Sequence, residues 1–273
     1  MKDTRRINGD CVRRHAIWRW RAGEWRQDHD DLAEEVPVAL EYNGISHAVM
    51  LATPSDLEEF ALGFSLSEAI LASPDDCYGI EVGRSDAGIT LHVRISSAAF
   101  VLLKDRRRNM AGRTGCGLCG TESLGQVLRP LPQLAIKQTL SASGIRRALA
   151  GLALLQPLNQ MTGGTHAAAW CLPDGELRAG FEDVGRHNAL DKLIGAMAKT
   201  RIDVEDGFAV VTSRASLELV QKAATVGIHA LVAVSAPSAL AARTAQDCGM
   251  TLVAFARGDG FVAYANSGNI RLD

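Results

Sequence analysis

Phe208-Ala209-Val210-Val211-Thr212-Ser213 and Ala230-Leu231-Val232-Ala233-Val234-Ser235 are two apolar runs, each ending in hydroxyl residues. A strand buried on both faces reads as an unbroken apolar run, whereas a half-buried one alternates. Helical periodicity over 187 to 199, 216 to 226 and 238 to 248, with a further strand at 250 to 256, surrounds the two runs. Strands alternating with helices predict a largely parallel sheet covered on both faces, so the C-terminal half is expected to be an α/β sandwich. Working outward, a helix over 141 to 155 is expected, then strands at 167 to 172 and 177 to 182 turning at Pro173-Asp174-Gly175. A last pair, 250 to 256 with 261 to 265, turns through Arg257-Gly258-Asp259-Gly260.

The N-terminal half has a different rhythm. Strands at 36 to 42 and 45 to 52 flank Asn43-Gly44, a strong two-residue hairpin signal. Thr53-Pro54-Ser55-Asp56 then offers caps and an early proline to a helix carrying Leu57, Phe60, Ala61, Phe64 and Leu71, which Pro74 closes. A second hairpin, 80 to 84 with 89 to 95, and a helix over 97 to 108 complete a small α+β unit. The expected organisation is a basic Arg/Trp-rich segment over 1–33, the α+β domain over 34–110, a mobile C-x-x-C loop over 111–127 and the α/β domain over 128–273.

The chain has 273 residues, 47% apolar and 22% charged, with a net charge of -2. Composition therefore points to no nucleic-acid partner. No apolar run reaches the roughly 20 residues needed to span a bilayer, and arginines interrupt any secretory h-region, so no membrane is expected and the cytoplasm is the default. The six cysteines, at 11, 77, 116, 119, 171 and 248, are too dispersed for a disulfide framework. Cys77, Cys171 and Cys248 lie in apolar or strand-like surroundings and read as buried structural thiols. Arginines interleaved with Trp18, Trp20 and Trp25 read as a solvated face.

Gly112-Arg113-Thr114-Gly115-Cys116-Gly117-Leu118-Cys119-Gly120-Thr121-Glu122-Ser123 places two cysteines three positions apart in a glycine-rich loop. Such a pair can be a redox dithiol, half of a zinc site or a persulfide carrier. Zinc would have to recruit Cys171, His166 or His187 from far along the chain, and no structural metal is expected. A redox dithiol normally opens a helix after a strand, which the polar Lys104-Asp105-Arg106-Arg107-Arg108 run does not provide. The nucleobase-deaminase pattern also fails: the cysteines precede His166, no proline precedes Cys116, and Ala168 stands where a proton-shuttling glutamate is needed. Sulfur transfer remains, with Arg113 and the basic run favouring a thiolate at Cys116 and with Cys119 as its partner.

Two further segments are rich in functional groups. Met161-Thr162-Gly163-Gly164-Thr165-His166 precedes a strand, and Glu182-Asp183-Val184-Gly185-Arg186-His187-Asn188-Ala189-Leu190-Asp191-Lys192 opens a helix. Thr165, His166, Arg186 and His187 supply hydroxyls and cations suited to a phosphate or polar heterocycle. Ser213 and Arg214 end one apolar strand. Phe255, Ala256, Arg257, Gly258, Asp259 and Gly260 end another, at the carboxyl edge where open α/β sheets bind ligands. Structural roles compete: His166 as a satisfied buried histidine, Asp183 as a helix cap, Asp191 and Lys192 as a surface pair, Arg257 to Gly260 as an ordinary turn. Arg186 and His187 fit least well, because cations are disfavoured at a helix start unless an anion answers them.

Assembled, these segments resemble the FdhD/NarQ family over almost the whole length from about residue 34. The resemblance rests on Asn43-Gly44 with 50 to 59, on Gly115 to Gly120, on Thr162 to His166 and on Glu182 to Lys192. It implies a cytidine-deaminase-like three-layer fold without the zinc chemistry. It also implies a sulfurtransferase that takes persulfide sulfur from a cysteine desulfurase on Cys116, with Cys119 beside it. The acceptor would be the molybdenum bis(molybdopterin guanine dinucleotide) cofactor, bound as substrate at Phe255 to Gly260 and required by formate dehydrogenase. A homodimer is implied as well. A cofactor-binding chaperone without covalent sulfur transfer is the alternative.

Overall fold

The computed structural model describes residues 9–108, 129–135 and 139–273. Its first element is a long ribbon, β1 (Val12–Arg21) and β2 (Glu24–Ala33), paired in continuous antiparallel register. The arginines and tryptophans over 12–33 are exposed, as a solvated face requires, and strand alternation organises them. The next unit is a four-stranded sheet of β3 (Val36–Tyr42), β4 (Ile45–Ala52), β5 (Cys77–Ser85) and β6 (Gly88–Ile95) in the order β4-β3-β6-β5. It carries helices α1 (Leu57–Ser67) and α2 (Ser97–Arg108). Asn43 and Gly44 both take positive φ, 47° and 81°, giving the primed turn that their identities predict. Helix α1 ends at Ser67, short of the expected Leu71, and Asp56 before it is left-handed (φ 50°) with no side-chain cap.

The rest of the chain builds a six-stranded sheet from β8 (His166–Cys171), β9 (Leu177–Asp183), β10 (Phe208–Val211), β11 (Ala230–Ala233), β12 (Thr251–Arg257) and β13 (Gly260–Ala265). The order is β13-β12-β11-β10-β8-β9. β10, β11 and β12 run parallel, as their unbroken apolar character requires, and the flanking pairs are antiparallel. A short parallel pair, β7 (Leu140–Ser141) with β14 (Ile270–Arg271), closes the C-terminus. Helices cover both faces. Ala168, Trp170, Ala209, Val211, Leu231, Ala233 and Leu252 face α5 (Arg186–Thr200), α6 (Leu217–Thr225) and α7 (Ala239–Asp247). Ala169, Cys171, Phe208, Val210, Ala230 and Val232 face α3 (Ala142–Gly151) and the turn after it. A further short helix, α4 (Pro157–Thr162), leads into β8.

The first core is continuous across both halves: Leu40, Phe60 and Leu91 of the small sheet unit belong to the same cluster as Leu190, Leu193 and Leu219. Helices α1 and α5 make this junction, and they cross backbone to backbone. A Cβ at Gly63 would run into the Asp191 carbonyl, and one at Gly195 into the Glu59 carbonyl. Gly63→Ala is therefore expected to push the two helices apart and cost about 3 kcal/mol or more, the upper end of overpacking. Its urea midpoint should fall with little change in slope.

Candidate functional site

The carboxyl edge of the parallel strands gathers most of the residues singled out above. Parallel strands β10, β11 and β12 end on it, and β8 begins on it because it runs antiparallel to β10 with Ala168 opposite Val211. The edge is laced by backbone bonds: Thr212 N donates to Ala167 O (3.0 Å), Ser235 N to Ser213 O (3.4 Å) and Phe255 N to Ser235 O (3.1 Å). His166 and Asp183 are paired at the neighbouring ends of β8 and β9. The first residues of α5 and α6 sit on the same edge. Thr165 and His166, Arg186 and His187, Ser213 and Arg214, and Phe255 to Gly260 are thus brought together from four separate chain segments.

Their side chains divide into those turned inward and those facing out. Thr165 is buried, and its hydroxyl donates to Glu182 Oε1 (2.9 Å). Ser213 is buried with its hydroxyl on its own chain, at Arg214 O (3.1 Å), and Ala256 packs into the α3 face. Phe255, Arg214 and Arg257 to Gly260 are exposed, while His166, Arg186 and His187 are half-buried. Burial, then the charges of Arg186 and His187, holds the His166 imidazole below its ordinary value. His166, Arg186 and His187 therefore lie close enough to act on one another. His166 is not the fully buried histidine that the structural alternative required.

Arg186 and His187 find an anion within the chain. His187 Nε2 lies 2.7 Å from Glu218 Oε2, and the Arg186 guanidinium reaches the same oxygen at 3.9 Å. The expectation that a bound anion relieves these cations is corrected to that extent: Glu218 supplies a negative charge from within the chain. Glu218 is in the first turn of α6, and the His187 hydrogen bond keeps its carboxyl below the ordinary range. In sequence Glu218 reads only as a dipole complement at its own helix start. Compensation is incomplete, since Arg186 Nε is buried without a hydrogen-bond partner among the described residues. Such an orphaned donor, on a residue of this edge, suits an anionic group of a ligand.

Phe255 is held at φ 49°, a strained conformation for a bulky side chain, beside a register shift between β12 and β13. Its ring lies 6.3 Å from that of Tyr264, and both are partly exposed. Asp183 does not cap α5 with its side chain; it takes Lys192 Nζ at 2.7 Å, with both side chains fully buried. Asp191 is equally buried against Lys222. The reading of Asp191 and Lys192 as a surface pair is thus overturned, because α5 is packed between the sheet and α1. Each of the two charges has a different buried partner.

Cys116 and Cys119, with the loop over 111–127, lie outside the described residues. The remaining four cysteines are free thiols, buried at Cys11, Cys171 and Cys248 and half-buried at Cys77. Burial pushes all four up from their ordinary value, so none offers a ready thiolate. Cys171 and His166 stand at opposite ends of β8, roughly 17 Å apart by strand geometry, and cannot share one metal ion. Among the described residues, no helix is long and apolar enough to cross a membrane.

The chain matches the FdhD/NarQ family over residues 33–271. It is 55% identical over 251 residues to the sulfur carrier protein FdhD of Cupriavidus necator, covering 92% of this chain and 87% of the relative. Its identity to the sulfur carrier protein FdhD of Variovorax paradoxus is 54% over 239 residues, 88% of this chain and 86% of the relative. The fold is similar to a crystal structure from Desulfotalea psychrophila proposed as a formate dehydrogenase accessory protein, with a TM-score of 0.74 at 22% identity, covering 96% of this chain and 100% of that one. An identity above one half, held over most of both chains, leaves no room for an unrelated fold with the same motifs, and this chain belongs to the FdhD/NarQ family.

Proposed function

We propose that this protein is a cytoplasmic sulfur carrier of the sulfurtransferase type, serving formate dehydrogenase. Cys116, as thiolate, attacks the outer sulfur of a cysteine desulfurase persulfide; the new S–S bond forms on Cys116 as the donor thiolate leaves. The outer sulfur would then pass to the molybdenum of the bis(molybdopterin guanine dinucleotide) cofactor, held as substrate at the carboxyl edge of the sheet: the S–S bond breaks, Cys116 leaves as thiolate, and a reduced molybdenum centre supplies the two electrons that take the sulfur to sulfide. The observation that carries this reading is the state of the other thiols. Cys11, Cys77, Cys171 and Cys248 are all withdrawn from thiolate chemistry by burial, which leaves Cys116 and Cys119 for it. The name sulfur carrier protein, borne by relatives at 51% to 55% identity, supports the sulfur-carrying role.

The edge supports the acceptor half of the proposal. From β8 to β13 it spans four strand spacings, roughly 19 Å, a length suited to an extended dinucleotide ligand. Arg186 and Arg214 would face its pyrophosphates and Phe255 an apolar ring, with His166 and His187 between them. The strand order β9-β8-β10-β11-β12, with helices on both faces, supports a cytidine-deaminase-like sandwich adapted to hold a ligand rather than a zinc-bound water.

Intact-mass measurement after incubation with a cysteine desulfurase and cysteine tests the first step. One added sulfur, removable by reductant, is expected on the wild-type chain and on Cys119→Ala, and none on Cys116→Ala. Added sulfur that survives loss of Cys116 would move the carrier role to Cys119, and an unmodified wild-type chain would end the proposal.

A further inference from the structure

Arg186 and His187 open α5, and the carboxylate of Glu218 reaches them from the first turn of α6. The two contacts are unequal. His187 Nε2 is 2.7 Å from Glu218 Oε2, within hydrogen-bond reach, whereas Arg186 Nη2 is 3.9 Å from the same oxygen, an attraction between charges that is too long for a hydrogen bond. Arg186 Nε is buried without a partner among the described residues. Glu218 therefore offsets the charge of the guanidinium and leaves its donor fork unfilled. A guanidinium is matched by an anion that takes two of its N–H groups at once, as phosphate oxygens do.

None of the three side chains is sealed in the interior. Arg186, His187 and Glu218 keep 31%, 24% and 27% of their side-chain surface, where the Lys192–Asp183 pair keeps none. The carboxylate also has a second favourable place. Ser216, at the start of α6, makes no side-chain capping bond, so the first backbone N–H groups of that helix and its dipole are open to a negative charge beside them. Lys222, one turn along α6, adds its positive field to Glu218. Turning from the two cations toward its own helix start therefore costs Glu218 little.

We propose that Glu218 is an internal stand-in for a phosphate of the ligand, resting on Arg186 and His187 in the unliganded chain and displaced when the ligand binds. The inference rests on the reading of the carboxyl edge as the site of a guanine dinucleotide. A phosphate that reaches both cations arrives beside Glu218 Oε2, so the two anions compete for the same charges and repel each other. Glu218 is thus an affinity-setting residue. It keeps the pyrophosphate from being held too firmly by a protein that passes its ligand on.

Calorimetric titration of the full chain with GDP tests this, because GDP carries the guanine and the pyrophosphate without the molybdenum. Glu218→Gln keeps an oxygen that accepts from His187 and removes the charge. It should bind GDP about fivefold more tightly than the wild type, the scale of one half-exposed ion pair, whereas Arg186→Gln should bind about tenfold more weakly. The urea midpoint of unliganded Glu218→Gln should be unchanged or lower, since an ion pair is lost, so tighter binding cannot come from a firmer fold. A Glu218→Gln chain that binds GDP no better than the wild type, with Arg186→Gln weakened, would overturn this proposal alone: Glu218 would then hold the cations in place for the ligand. Unaltered affinity in Arg186→Gln would overturn it by putting the phosphates elsewhere on the edge. Failure of both the wild type and Glu218→Gln to bind GDP would end the reading of the edge as a guanine-dinucleotide site, and this inference with it.

Discussion

Cys116→Ala is expected to leave formate dehydrogenase inactive in cells that depend on this protein, lowering its activity on the order of a thousandfold or more, the scale on which losing a nucleophile is felt. In the proposed function the replaced thiol is the atom that receives sulfur from the donor persulfide. Burial raises the thiol pKa of all four described cysteines; Cys11, Cys171 and Cys248 are buried and Cys77 is half-buried. Folding is expected to be untouched. A Cys116→Ala protein that still binds a guanine nucleotide but fails to activate the enzyme separates sulfur transfer from cofactor holding. Full activity in that variant would favour a cofactor-binding chaperone instead.

Lys222→Met is expected to cost about 3 to 5 kcal/mol, the penalty for stranding a buried charge. Lys222 Nζ, itself buried, lies 2.9 Å from Asp191 Oδ2, 3.0 Å from Ser67 Oγ and 2.8 Å from Glu68 Oε1. Asp191 is fully enclosed between α1 and α6, and methionine leaves it with only the Ser67 hydroxyl (2.6 Å). Burial pushes the Glu68 carboxyl up, but the charges of Lys222 and Arg129 more than offset this and hold it at about 2. A carboxyl depressed on folding stabilises above its unfolded value and loses that contribution as pH falls through the folded value. The wild type should therefore weaken from about pH 4.5 downward, and Lys222→Met should lose much of that slope. Urea titrations at neutral and acidic pH read both effects. Adding Asp191→Asn should recover part of the loss, since the stranded charge is then gone.

How far the fold was legible depended on whether a residue's role is local. The hairpin at Asn43-Gly44 and the helix ending at Arg108 follow from turn chemistry and periodicity, and both are where the sequence places them. β10 and β11 follow from unbroken apolar runs. Long-range pairing was the part that could not be read. Asp191 and Lys192 are adjacent opposite charges on a helix, a pattern normally found in water. Only the crossing of α1 over α5 at Gly63 and Gly195 seals that helix in and assigns Asp191 to Lys222 and Lys192 to Asp183. Glu218 was overlooked for the same reason. It is 31 residues beyond His187, and nothing in either segment names the other.

The amino-acid sequence by itself determined the class of fold and the family, because apolar periodicity, turn residues and motif spacing are local properties of the chain. The tertiary structure decided which charges are buried, which anion answers Arg186 and His187, and which face of the N-terminal ribbon carries the tryptophans. Those outcomes depend on strand register and helix crossing, where a shift of one residue reverses every facing.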